Sequence, residues 1–254
     1  MVVCVPVATV YREPELVSEQ ADELLFGEEV EIIGEKGGFC HIKSDYGYEG
    51  WVIKQELFEK LHDAAFTVTV PFADLHFEGS DFRKCPITLP MGARIDVGFS
   101  ESEKNYGFAV LPSKRIYYIR KSHIARIDAV KGKSEPELRE AIAATALKYL
   151  GVQYRWGGRS FFGVDCSGLC FNAYRFNGVN IWRDADIGRS PNLRRIPLEE
   201  AKTGDLVFFN RHVALYLGEG EIVHASASEG FVKREKLFEN ENLMKIYITA
   251  GTLF

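Results

Sequence analysis

The chain has 254 residues, enough for one large domain or for two or three small ones. At 46% hydrophobic and 26% charged it has the composition of a soluble globular protein. A formal net charge of -5 predicts no affinity for nucleic acid or membrane, since phosphate binding needs a basic face, and no apolar run approaches the ~20 residues that span a bilayer.

The opening Met1-Val-Val-Cys-Val-Pro6 is apolar but short. It lacks a positive n-region and a small-residue cleavage site, so it does not read as a signal peptide. Five cysteines, Cys4, Cys40, Cys85, Cys166 and Cys170, are an odd set without regular spacing, which argues against a disulfide framework. There is no Cys-x-x-Cys pair to suggest a structural zinc. Reduced thiols in a cytoplasm are the expectation.

Short strands are expected over residues 1–60. Val7-Ala-Thr-Val-Tyr11 alternates weakly; Glu28-Glu-Val-Glu-Ile-Ile33 and Phe39-Cys-His-Ile-Lys43 alternate better. Gly34, Gly37, Gly38, Gly47 and Gly50 read as turns between them. Such spacing suggests a small barrel. Asp45-Tyr-Gly-Tyr-Glu-Gly-Trp-Val52 and Leu24-Leu-Phe-Gly-Glu28 resemble the closing strand and the "LL-x-GE" turn of bacterial SH3-like domains. Residues 61–128 repeat the rhythm in Thr67-Val-Thr-Val70, Ala93-Arg-Ile-Asp-Val97, Tyr106-Gly-Phe-Ala-Val110 and Ile116-Tyr-Tyr-Ile119, so a second small barrel is expected from pattern alone.

Lys131-Gly-Lys-Ser134 reads as a linker into a third domain, residues 129–254. Ser134 can cap a helix, Pro136 suits its first turn, and Glu135 and Glu137 suit the positive end of its dipole. Leu138, Ile142, Ala146, Leu147 and Leu150 form an apolar stripe that Gly151 should end. A loop, a second helix and several strands follow, the order of an α+β domain.

The second helix starts at Asp165-Cys-Ser-Gly168, with apolar spacing through Leu169, Cys170, Ala173 and Tyr174 and a stop at Gly178. Cys166 therefore sits at a helix N-terminus, where unpaired N–H groups favour a thiolate. Cys170, one turn on, belongs to the apolar stripe. Downstream, His212 begins one expected strand and His224 lies inside the next. Neighbouring strands can bring the two imidazoles together, one orienting the other as the base of a cysteine nucleophile. From the residues alone this set is only suggestive, since histidines are usually ordinary polar residues.

The flanks add to it. Tyr154-Arg-Trp-Gly-Gly158, Asp165-Cys-Ser-Gly168, Gly204-Asp-Leu-Val-Phe208, His212-Val-Ala-Leu-Tyr-Leu-Gly218 and His224-Ala-Ser226 occur in one order that resembles the NlpC-type murein peptidases. The resemblance covers the C-terminal half and implies a papain-like fold with Cys166 as nucleophile, His212 as base, His224 as orienting residue and Tyr154 as an oxyanion donor. No metal or organic cofactor is implied.

Two SH3-like domains before such a domain resemble the intracellular γ-D-glutamyl-L-diamino acid endopeptidases. These act on murein tripeptides or tetrapeptides with a free N-terminal L-Ala, and their first SH3-like domain closes one end of the cleft. The resemblance implies substrate contacts from Tyr48, Asp165, Ser167, Asp184, Trp156 and Glu13. Asp184, in Ile181-Trp-Arg-Asp-Ala185, is the first choice for the counter-ion of the amine. Trp182 replaces the family's usual Pro, and Ala185 stands where some members carry Ser, which removes one hydroxyl contact from the expected pocket. A cytoplasmic monomer in cell-wall peptide recycling is the expectation. The alternatives are a secreted peptidoglycan hydrolase, an amidase or transamidase on the same scaffold, and a non-enzymatic wall-binding module.

Overall fold

A computed structural model describes residues 1–60, 62–77, 83–111, 115–190 and 192–254. The chain forms two compact units, Met1–Ala129 and Val130–Phe254.

The first unit is built of short antiparallel strands. Strands β1 (Val7–Tyr11), β2 (Gln20–Leu25), β3 (Val30–Lys36), β4 (Phe39–Ser44) and β5 (Glu49–Ile53) form one sheet in the order β2-β1-β5-β4-β3. Alternating side chains from them, among them Val10, Leu24, Ile42 and Val52, make a closed apolar cluster. One sequence expectation is corrected here, and one strand that the sequence patterns did not single out is added. Gly34 lies inside β3 and not in a turn, because a register shift between Ile32 and Gly34 takes up one residue as a bulge. Residues 20–25 form a further short strand of this region even though it carries Asp22 and Glu23, both of which are buried.

The later part of this unit pairs Phe66–Val68 with Arg94–Ile95 and Ile124–Arg126, Phe72–Leu75 with Ile87–Pro90, and Tyr106–Val110 with Ile116–Arg120. Its own core gathers Val68, Leu75, Leu89, Ile95 and Ile119 together with Phe26. Gly27, at φ 76, lies where a Cβ would collide with the Arg94 carbonyl, so the turn after Leu25 needs glycine twice over.

The second unit opens with helix α1 (Glu135–Leu147). Ser134 and Glu137 form a reciprocal capping box, with Pro136 in the first turn. The helix stops at Leu147, short of the expected Gly151, and Leu150 is exposed. The cause is Tyr149, which turns inward, stacks on Phe161 at 4.1 Å and accepts from Asn172 Nδ2 at 2.9 Å. Helix α2 (Cys166–Arg175) packs against α1, and Gly178 at φ 82 turns the chain after it.

Six antiparallel strands complete the unit: β6 (Arg194–Ile196), β7 (Leu206–Phe209), β8 (His212–Gly218), β9 (Glu221–Ser226), β10 (Phe231–Lys236) and β11 (Tyr247–Thr252), in the order β6-β11-β7-β8-β9-β10. Helix α2 packs on β8 and β9, while Val207, Phe209, Tyr216, Ile222 and Leu237 form a cluster with Leu243 and Met244 of helix α3 (Glu241–Lys245). Helices on a mostly antiparallel sheet give the expected α+β class. Among the described residues no helix is long and apolar enough to cross a membrane.

Candidate active site

Cys166 is the first residue of α2, and Asp165 is its N-cap. The Asp165 carboxylate is saturated from within the protein. Oδ1 accepts from Gly168 N at 2.6 Å, Ser167 Oγ at 3.2 Å and Arg183 Nη1 at 3.0 Å; Oδ2 accepts from Gly157 N at 2.8 Å and Arg183 Nη2 at 3.1 Å. Arg183, 1% exposed, also reaches Ser167 Oγ at 3.0 Å and the Gly158 carbonyl at 3.2 Å. One bidentate ion pair thus ties the loop before the helix to the segment after it. The close approach requires glycine at 168, because a Cβ there would strike the Gly158 carbonyl.

The Cys166 thiol is buried, which pushes its pKa up to about 12, with the Asp165 charge adding to the rise. The backbone N–H groups of Val213 and Ser167 and the Arg183 charge act in the opposite direction. Val213 adjoins His212, so the contact with its N–H fixes the first turn of α2 against the start of β8. Cys170 is fully buried, and burial first, then the Cys166 and Asp165 charges, raise its pKa well above the ordinary thiol value.

His212 Nε2 lies 2.9 Å from His224 Nδ1, with the two rings nearly perpendicular at 77°. His224 Nε2 in turn lies 2.8 Å from Glu235 Oε1, a close contact that is off the line of a good ring N–H hydrogen bond. Burial first, then the neighbouring His224, hold the His212 pKa down to about 4 against the opposing pull of Glu235. Since His212 Nε2 faces His224, Nδ1 is the nitrogen left to take a proton from the cysteine.

Tyr154 is half-buried beside this centre. Burial first, then the negative charge of a Cys166 thiolate and of Asp165, raise its phenol far above the ordinary range. It therefore keeps its proton and can donate it in a hydrogen bond. A nucleophile at a helix start, a base, an orienting imidazole and an aromatic donor are the parts that acyl transfer requires. Among the described residues no three His, Cys, Asp or Glu side chains converge to hold a metal ion.

Comparison with known proteins agrees with this geometry. Residues 151–250 match the NlpC/P60 family, and residues 6–57 match the bacterial SH3 domain. Over its whole length the chain is 35% identical to a protein of Lysinibacillus sphaericus named dipeptidyl-peptidase 6, covering 99% of that relative. The chain belongs to the NlpC/P60 family. It is also 27% identical to a γ-D-glutamyl-L-lysine dipeptidyl-peptidase of Bacillus cereus, over 83% of this chain and 68% of that one. A solved NlpC/P60 family structure from Bacillus cereus has the same fold, with a TM-score of 0.84, 21% identity, and coverage of 98% of this chain and 97% of the other.

This NlpC/P60 chain is a cysteine peptidase, and its remaining expected site residues fall into separate places. Asp184 and Ser167 line one small pocket with Cys170, Trp182, Ser190 and Val213. The ring of Trp182 carries the Arg189 guanidinium at 3.6 Å. Trp156 is 61% exposed on the loop after Tyr154. Tyr48 and Glu13 belong to the first unit. Tyr48 is buried and donates to the Ala21 carbonyl at 3.3 Å, with Arg12 6.0 Å over its ring, whereas Glu13 is exposed. Sequence reasoning missed Arg183 and Glu235. Arg183 could have been suspected from its place between Trp182 and Asp184, but Glu235, in the charged run Lys233-Arg-Glu-Lys236, carried no local signal.

Proposed function

We propose that this peptidase hydrolyses the γ-D-glutamyl–diamino acid bond of murein peptides that carry a free N-terminal L-Ala, in the recycling of cell-wall peptides in the cytoplasm. The observation that carries the chemistry is the His212–His224 contact beside the helix that begins at Cys166. The substrate reading is supported by the likeness to the Bacillus cereus relative, which is named a γ-D-glutamyl-L-lysine dipeptidyl-peptidase. The compartment is supported by the five cysteines, all free thiols.

In this reading the Cys166 proton moves to His212 Nδ1, and the thiolate bonds to the γ-D-glutamyl carbonyl carbon. Tyr154 and the Cys166 N–H stabilise the resulting oxyanion. The carbon–nitrogen bond breaks as His212 returns the proton to the leaving amine of the diamino acid. Water, losing a proton to His212, then attacks the thioester; the γ-carboxylate of the dipeptide leaves and the thiol is restored. Asp165 acts here through position: with its acceptor sites engaged by Arg183, Ser167 and backbone N–H groups, it sets the start of α2. Asp184, with Ser167 in the adjoining pocket, receives the substrate ammonium. Tyr48, Trp156 and Glu13 are proposed as substrate contacts, and Y48F, W156A and E13Q should raise KM more than they lower kcat.

The test is incubation with L-Ala-γ-D-Glu-diaminopimelate and with its N-acetyl form, with products identified by mass. The free peptide should yield L-Ala-γ-D-Glu and diaminopimelate. A hydrogen bond to a charged group contributes about 1.5–3 kcal/mol, so the acetylated peptide should react roughly ten- to a hundredfold more slowly. Asp184→Asn should narrow that gap. Equal rates on the two peptides, or faster cleavage of intact peptidoglycan, would refute the free-amine reading.

A further inference from the structure

The sheet register sets a third polar side chain in line with the two histidines. The pair Leu215–Val223 joins β8 to β9, and His224–Lys233 and Ile222–Glu235 join β9 to β10. Side chains on one face recur every second residue, and diagonal neighbours on adjacent strands lie within reach of long side chains. His212, His224 and Glu235 thus form a diagonal across three neighbouring strands. The side-chain contacts follow it, with His224 Nδ1 toward His212 at 2.9 Å and His224 Nε2 toward Glu235 at 2.8 Å.

Glu235 is itself held in place. Its side chain is 16% exposed, Asn240 Nδ2 donates to Oε1 at 3.0 Å, and Lys233 Nζ lies 3.1 Å from Oε2. Burial alone would raise its pKa, but Lys233, His224 and Asn240 outweigh burial and keep it below the ordinary carboxylate range. Glu235 is therefore an ionised group that can only accept. Lys233 also pairs with Glu229, so the charged and titratable groups facing His224 are His212, Glu229, Lys233 and Glu235.

We propose that Glu235 is the fourth member of the catalytic line, a positioning residue that fixes the tautomers of both histidines. An acceptor beside His224 Nε2 keeps the proton on that nitrogen. His224 Nδ1 then carries the lone pair and must accept, so His212 Nε2 must be the donor. His212 Nδ1 is thereby left unprotonated, the state in which it takes the Cys166 proton. With the opposite tautomer of His224, Nδ1–H would face His212 Nε2 and force the His212 proton onto Nδ1, where it blocks the transfer. When His212 becomes imidazolium, the carboxylate also stabilises that charge through His224. This role rests on the cysteine-peptidase reading, but not on the identity of the substrate.

The test is alkylation of Cys166 by iodoacetamide as a function of pH, read on the Cys166 peptide by tandem mass spectrometry, in the full chain and without substrate. Glu235→Gln keeps the shape and removes the charge, so the imidazolium that supports the thiolate is weakened. The alkylation midpoint should move up by about one unit, with a roughly tenfold slower rate at neutral pH. Lys233→Met removes a positive charge from the same carboxylate and should move the midpoint down. Loss of packing alone would not give opposite shifts. Glu235→Ala should lower kcat on the tripeptide with little change in KM, and Glu235→Gln should recover part of it. Superimposable profiles for wild type, Glu235→Gln and Lys233→Met, or shifts of the same sign in the two variants, would overturn the proposal. If wild type alkylates normally but does not cut the tripeptide, the substrate reading falls, and the profiles still decide the role of Glu235.

Discussion

Arg183 grips Asp165 through both ends of its guanidinium, Nη1 to Oδ1 at 3.0 Å and Nη2 to Oδ2 at 3.1 Å, one residue before the cysteine that starts α2. Because Arg183 is 1% exposed, removing its partner leaves a buried charge uncompensated. Asp165→Ala should cost about 3–5 kcal/mol of stability, and Asp165→Asn less, since its amide oxygen can still cap Gly168. Urea unfolding of both variants measures this. A stable Asp165→Ala protein with only a raised KM would instead make Asp165 a substrate contact.

The two cysteines of α2 should separate cleanly. Cys166→Ala should abolish hydrolysis of the tripeptide, because no other side chain at the helix start can form the thioester. Cys170 is fully buried on the apolar side of the same helix, so Cys170→Ala should keep most activity and lose about 1–2 kcal/mol of stability. Product release by each variant is the measurement. Loss of activity in Cys170→Ala, together with wild-type activity in Cys166→Ala, would reverse the assignment.

Of the histidines, His212 should be the less dispensable. His212→Ala removes the proton acceptor itself. His224→Ala removes only the group that orients it, so its kcat/KM should lie between wild type and His212→Ala. His224→Asn can still present an acceptor to His212 Nε2 and should recover part of the loss. Full activity in His224→Ala would take that residue out of the site.

Stability should fall on both sides of neutrality, for opposite reasons. The His212 pKa is held down from 6.5 to about 4 in the folded protein, so the unfolded chain binds its proton first. The stability this contributes is present above pH 6.5 and is lost as pH falls toward about 4, up to about 3 kcal/mol. The Cys166 pKa is raised from 9.0 to about 12, so its contribution is present below pH 9 and is lost as pH rises toward 12. Urea midpoints across this range should show the acid arm shrink in His212→Gln and the alkaline arm shrink in Cys166→Ser. Unchanged arms in these variants would contradict the assignment of the two shifts.

The sequence by itself determined the parts whose signals are local. The Ser134 cap, the helix start at Cys166, and the strands beginning at Val7, Phe39 and Tyr106 all follow from side chains acting on backbone within a few residues. The motif around Cys166, His212 and His224 was legible for the same reason, because each residue sits where a helix or a strand begins or runs. Tertiary structure decided what depends on partners far along the chain. Helix α1 ended early because Tyr149 found Phe161 and Asn172, and the charged segment Gln20–Leu25 became a strand because the sheet beside it supplied the pairing. Arg183 and Glu235 acquire their roles only when folding sets one against Asp165 and the other against His224. The strand register that aligns Glu235 with His224 is a property of three strands together, and no window of a few residues contains it.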